Sequence, residues 1–168
     1  MKITNKKIVY KGFNNVIEFT IDDSYKRTLY VKSDDQMNIF DEAVAGMVIN
    51  QKTKKAYFVS QTRPAKYHLD NPYLIEVVAG NLNKGEDPTE AFIREVYEEL
   101  RIDSHSKVEC FGKKYTSPGR TGEICHFFIC EIDQDILHIK GGLEQEHEDI
   151  DIVEMDFNEL KDFEFDDL

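Results

Sequence analysis

An α+β sandwich preceded by a small antiparallel β-sheet unit is the fold predicted by three features of the sequence. One long helical segment has strand-like segments on both sides, the first 40 residues are rich in strand patterns, and no repeat or low-complexity tract interrupts the 168-residue chain. Alternating apolar and polar residues predict strands near Lys7–Tyr10, Val16–Ile21 and Thr28–Val31, joined by turns containing Gly and Asp. Residues 1–41 thus make an N-terminal β-sheet unit too small to bury a core alone. The polar connection SDDQMNIFDE closes it, and a second unit is expected over residues 42–168. There, Ala43–Ile49 and Lys55–Thr62 read as strands separated by the turn NQKTKK, Leu74–Ala79 as a short apolar strand, and Val108–Tyr115, Ile124–Ile132 and Ile150–Met155 as further strands. Asn158–Asp162 suits a brief last helix, and the tail FEFDDL is expected to be exposed or frayed.

The long helix carries the strongest local signals. Asp87 supplies an N-cap, Pro88 fits the first helical position, and Glu90 stands three residues after the cap, so a helix is predicted from about Pro88. At about 100° per residue, Phe92, Ile93, Val96, Tyr97 and Leu100 gather on one side, and Arg94, Glu95, Glu98 and Glu99 on the other. Glutamates three and four residues apart repel by a few tenths of a kcal/mol per pair. Arg94 can reach Glu98, but one guanidinium does not neutralise this many carboxylates. Clustered hard oxygens suit magnesium, with manganese as an alternative.

Composition narrows the function class. At 40% hydrophobic the chain can bury a core of ordinary size. Its 33 acidic and 21 basic residues give a formal charge of −12, which disfavours general nucleic-acid binding. No apolar run suggests a membrane span or secretion signal, and a cytoplasmic location is expected. Cys110, Cys125 and Cys130 lack CxxC spacing and are expected as buried free thiols.

From Gly80 to Ile102 the intervals are fixed: Gly80, five residues, Glu86, seven residues, then Arg94, Glu95, an apolar Val96, any residue, Glu98, Glu99 and, two positions after Leu100, Ile102. This segment resembles the Nudix box, except that Arg101 stands where the family usually has glycine. Glycine there suits a left-handed helix end, which costs another residue about 1 kcal/mol. The resemblance implies a Nudix-type α/β/α sandwich and a metal-dependent hydrolase. Two later segments are similar to its ADP-ribose and nucleoside-diphosphate-sugar pyrophosphatase branch. Pro118, with Gly119, lies sixteen residues after Ile102, and GGLEQEHEDIDIVE resembles an acidic loop placed over the diphosphate.

The resemblance assigns roles residue by residue. Glu95 and Glu99 look like metal-binding carboxylates, joined by the backbone carbonyl of Ala79 and by Glu148. Glu146 is the expected general base, with Glu98 as rival or as a further ligand. Arg94 is expected to orient the carboxylates and Glu86 to hold the loop to the helix. Arg63 and Glu76 occupy places of substrate contacts; the bland alternative for Arg63 is a surface salt bridge. Glu76, in an apolar strand, requires a partner in any case. The implied reaction splits ADP-ribose or a similar sugar nucleotide into nucleoside monophosphate and sugar phosphate. GDP-mannose or triphosphate hydrolysis and a non-cleaving ADP-ribose sensor are the competing readings. The branch also implies a homodimer built through residues 1–41.

Overall fold

Apolar alternation builds two separate sheets. The computed structural model describes residues 2–66, 68, 71–136, 140–142 and 149–165. Strands β1 (Ile3–Tyr10), β2 (Asn15–Ile21) and β3 (Tyr25–Val31) form a three-stranded antiparallel sheet in that order. Its register sets Ile8 opposite Ile17 and Ile17 opposite Leu29, so one face is an apolar stripe. Ile17 and Val31 on that stripe are fully buried. The Tyr30 N–H donates to the Arg120 carbonyl at 3.0 Å, which fastens this sheet to the loop that carries Pro118.

The larger sheet contains β4 (Glu42–Asn50), β5 (Lys55–Thr62), β6 (Tyr73–Glu76), β7 (Val78–Asn81), β8 (Lys107–Tyr115), β9 (Ile124–Glu131), β10 (Lys140–Gly141) and β11 (Ile150–Asp156). Its order is β10-β11-β5-β4-β9-β8, with β6 on β5 and β7 on β4; the β4–β9 pair is parallel and the others antiparallel. Strand β5 has buried side chains of both parities, Ala56 and Phe58 against Tyr57 and Val59, because both faces of the sheet are covered.

Helix α1 (Pro88–Leu100) covers one face, packing Phe92, Val96 and Leu100 onto Val44, Val48, Val59, Val78 and Phe128. Phe92 stacks on Phe128 with centroids 4.7 Å apart, and burial of each such large side chain contributes about 2 kcal/mol. On the opposite face the short helix α2 (Phe157–Leu160) packs Phe157 and Leu160 against Ile49, Ala56, Phe58 and Met155. The result is the expected α+β sandwich. Among the described residues no helix is long and apolar enough to cross a membrane.

Two local expectations are corrected. The single strand Leu74–Ala79 is two strands, because the chain switches partner after Glu76 from β5 to β4. The two-residue β10 had no sequence pattern to reveal it. The described part of the tail, Phe163–Phe165, is exposed as expected, with Phe165 against Phe58 at 5.1 Å and Phe163 against Phe165 at 4.8 Å. Cys125 and Cys130 are buried, where desolvation raises both thiols to about 11, but Cys110 is exposed on β8.

Candidate active site

The start of α1 is built as its sequence predicts. Asp87 accepts from the backbone N–H groups of Thr89 (2.8 Å) and Glu90 (3.3 Å), and Pro88 takes the first helical position. The helix therefore has a fixed phase relative to β7, and that phase brings the box acids against the sheet rather than into solvent. Glu95 and Glu99 are 9% and 3% exposed, whereas Tyr97, assigned by periodicity to the apolar side, is 51% exposed.

Two backbone contacts place these carboxylates. The Ala79 N–H donates to Glu99 Oε2 at 3.3 Å. At Gly80 a Cβ would stand 2.0 Å from both Cδ and Oε1 of Glu95, so the missing side chain is what admits that carboxylate. Ala79 and Gly80 on β7 thus form one wall of the site, and Glu95 and Glu99 form the other.

Arg94 links the rest. Its Nε donates to Glu86 Oε1 (2.9 Å), Nη1 to Glu95 Oε1 (2.7 Å) and Glu98 Oε2 (2.9 Å), and Nη2 to Glu86 Oε2 (3.1 Å) and the Asn81 carbonyl (3.0 Å). Only a planar fork with five donors makes such a set. The bond to Glu86, with those to Glu95 and Glu98, holds the guanidinium pKa further above its ordinary value; Arg94 in turn lowers the Glu86 carboxyl. Glu86 also accepts from the Asn83 N–H at 2.7 Å, so it ties the 81–87 loop to the helix through Arg94.

Burial of several like charges is unfavourable unless something compensates them. Arg94 compensates part of the set. The donors are all oxygens, two of them on nearly buried carboxylates, and this suits a hard divalent cation. Among the described residues no three acids close a metal site by themselves, and Arg94 draws Glu95 and Glu98 toward itself.

The remaining sequence candidates fall in three places. Arg63 and Glu76 find each other: Nε donates to Oε2 at 2.8 Å and Oε1 at 3.1 Å, which satisfies the carboxylate in its apolar strand. Pro118 and Gly119 line a cavity of about 390 Å³ with Ile3, Phe19, Ile21, Arg27 and Leu29 of the N-terminal sheet, and none of the box acids is in its wall. Glu146 and Glu148 lie outside the described residues.

Sequence reasoning gave Gly141 and Gly142 no role beyond opening the segment GGLEQEHEDIDIVE, although two adjacent glycines before an acidic run were a visible signal. The Gly142 N–H donates to the Glu98 carbonyl at 3.0 Å, and the Arg101 guanidinium donates to the Gly142 carbonyl. Arg101 itself ends α1 in the left-handed conformation expected of the glycine it replaces, at φ 57° and ψ 34°.

Residues 40–167 match the NUDIX domain. The chain belongs to the NUDIX family. It is a Nudix hydrolase, acting on pyrophosphate bonds. It is 29% identical over 161 residues to the ADP-ribose pyrophosphatase of Haemophilus influenzae, covering 90% of this chain and 72% of that protein. It is also 29% identical over 163 residues to the GDP-mannose pyrophosphatase of Cronobacter sakazakii, covering 95% and 83%. The crystal structure of an ADP compounds hydrolase superposes with a TM-score of 0.63 over 96% of this chain and 80% of that one; at 12% identity this likeness concerns the Nudix fold alone.

Within this Nudix box, Arg94→Ala is expected to strip Glu86, Glu95 and Glu98 of their shared cation. Arg94 is 29% exposed, so solvent screens part of the loss, and urea denaturation should show destabilisation by about 2 kcal/mol. Arg94→Lys should recover less than half of it, because an ammonium lacks the fork. A stability equal to wild type in both variants would remove Arg94 from its place as organiser.

Proposed function

We propose that this chain hydrolyses the diphosphate of ADP-ribose or a similar nucleoside diphosphate sugar to nucleoside monophosphate and sugar phosphate, with magnesium or manganese as cofactor. The observation that carries this reading is the placement of the buried Glu95 and Glu99 carboxylates against Ala79 and Gly80, with Arg94 beside them. In the proposal Glu95, Glu99 and the Ala79 carbonyl hold the cation, with Glu148 completing the set. Bound there, a divalent cation offsets the negative charge of the diphosphate.

The protein's own groups do the rest. Arg94 orients Glu95 and Glu98, and Glu86 keeps Arg94 in place. Glu146 accepts a proton from the attacking water, with Glu98 as the alternative base. Arg63, already braced by Glu76, offers its remaining guanidinium donors to a phosphate or ribose. The cavity between Pro118, Gly119 and the N-terminal sheet supplies apolar walls, Phe19 and Arg27 for the remainder of the substrate. Residues 1–41 serve as a dimerisation element ahead of the catalytic unit 42–168. Three free cysteines fit a reducing, cytoplasmic setting.

GDP-mannose is the second reading, supported by the equal identity of the chain to a GDP-mannose pyrophosphatase. A panel of ADP-ribose, ADP-glucose, GDP-mannose, a dinucleoside polyphosphate and dGTP with magnesium, read by nucleoside monophosphate release, tests the proposal. The expected result is strongest turnover of ADP-ribose. A preference for GDP-mannose would select the second reading, and binding of ADP-ribose without cleavage of any compound would leave a sensor.

A further inference from the structure

Two observations at the far end of α1 are not used by the site as described. The first is Arg101, which occupies a left-handed position that glycine fills without strain and places its guanidinium on the Gly142 carbonyl. The second is the closeness of β10 to the helix: a Cβ at Gly141 would stand 1.6 Å from the Glu99 carbonyl oxygen, and Gly142 turns away at φ 83° with its N–H on the Glu98 carbonyl, 3.0 Å off.

These contacts form a clasp. The Glu98 carbonyl accepts from the Gly142 N–H and the Glu99 carbonyl lies close against Gly141, while their side chains belong to the acidic face. Lys140 fixes the other end of the same hairpin through Asp149 (2.7 Å) and Asp151 (2.9 Å), and Gly141 pairs with Ile150. Everything here is backbone to backbone except the salt bridges and Arg101. The last turn of a helix leaves carbonyls to be satisfied, and a side-chain donor from the next strand or cap is a usual solution. Arg101 instead donates outward, to the strand, so its bond does nothing for the helix's own carbonyls. A residue retained in a strained conformation for a contact of that kind points to a role in relative placement.

We infer that Arg101 is a positioning residue of this site: its side chain holds the Lys140–Gly142 segment against the last turn of α1, and so fixes the position of that turn, which carries Glu98 and Glu99. The inference rests on the proposed function, because in that reading Glu98 and Glu99, on the turn that the clasp holds, belong to the reacting centre. It concerns a position at which this chain departs from the box pattern, and the departing side chain has a partner.

The test compares Arg101→Gly with Arg101→Ala. Glycine removes the side chain and the strain together; alanine removes the side chain and keeps the strain. For both, kcat with the preferred sugar nucleotide is expected to fall about 10- to 100-fold with KM changed less than about threefold, since misplacement near an ångström has effects of this size. Hydrogen exchange at the Gly142 amide should speed up in both, and the Arg101→Gly melting midpoint should stay within about 3 °C of wild type. A loss of kcat in Arg101→Ala alone would mean that the side-chain contact is dispensable once the helix end is free of strain, and would overturn the inference. Unchanged kcat or unchanged Gly142 exchange in Arg101→Gly would overturn it as well. Full activity of Arg101→Gly beside an inactive Glu99→Gln leaves the proposed function standing and removes only the clasp; a wild type that cleaves no sugar nucleotide removes the proposed function, and Gly142 exchange still decides whether Arg101 holds the strand.

Discussion

Glu99→Gln is expected to lower kcat by about 100- to 1,000-fold while leaving the fold as stable as wild type or more so. The substitution keeps the shape of a side chain that is 3% exposed, so it opens no cavity. The amide oxygen can still accept from the Ala79 N–H, which now reaches Glu99 Oε2 at 3.3 Å. What disappears is one negative charge beside Glu95 and Glu98. In the folded protein that charge is unfavourable, since like charges at helical spacing repel and buried charge is poorly solvated. Its removal should therefore raise or maintain the melting midpoint. In the proposed reaction the same charge is needed, because a neutral amide binds a divalent cation weakly. Steady-state turnover with magnesium, thermal unfolding and calorimetric magnesium binding separate the two effects. Turnover within threefold of wild type would remove Glu99 from the reacting centre; a collapse of stability would mean that its carboxylate serves the fold.

The parts of the molecule legible in the sequence are those set by neighbours along the chain. Asp87 and Pro88 start α1 through contacts no more than three residues away, and the structure places the helix start there. Val16–Ile21, which alternates, and Lys55–Thr62, with its short apolar run between polar ends, stand within a residue of expectation. Long-range pairing was less visible. The run Leu74–Ala79 is apolar on paper except for Glu76, yet it exchanges β5 for β4 after that residue, and only the partners reveal the break. Periodicity sorted α1 into two sides but could not say that β7 and β10 would cover Glu95 and Glu99 and leave Tyr97 at 51% exposure. Arg63 and Glu76 were each chosen as substrate contacts; their mutual ion pair comes from the β5–β6 geometry, thirteen residues apart in sequence.

Gly80→Ala should produce the second large effect, and it follows from space rather than from backbone freedom. Gly80 has no positive φ, so alanine can adopt its conformation. The obstacle is Glu95, whose Cδ and Oε1 would lie 2.0 Å from the added Cβ. Those atoms are the far end of a flexible side chain and can swing aside. Gly141 makes the contrast, because a Cβ there meets the Glu99 backbone oxygen at 1.6 Å, which has no such freedom. Gly80→Ala is accordingly expected to cost less than about 1 kcal/mol of stability, the range of a surface or lightly strained change. The displaced Glu95 carboxylate also leaves its 2.7 Å contact with Arg94, so the charge pattern of the site shifts along with its shape. A displacement of about 1 Å at such a group should reduce kcat about 100-fold. Urea unfolding and steady-state kinetics on one preparation measure both quantities. Near-normal turnover with near-normal stability would mean that Glu95 moves without consequence, and the wall formed by Ala79 and Gly80 would then not face the reacting diphosphate.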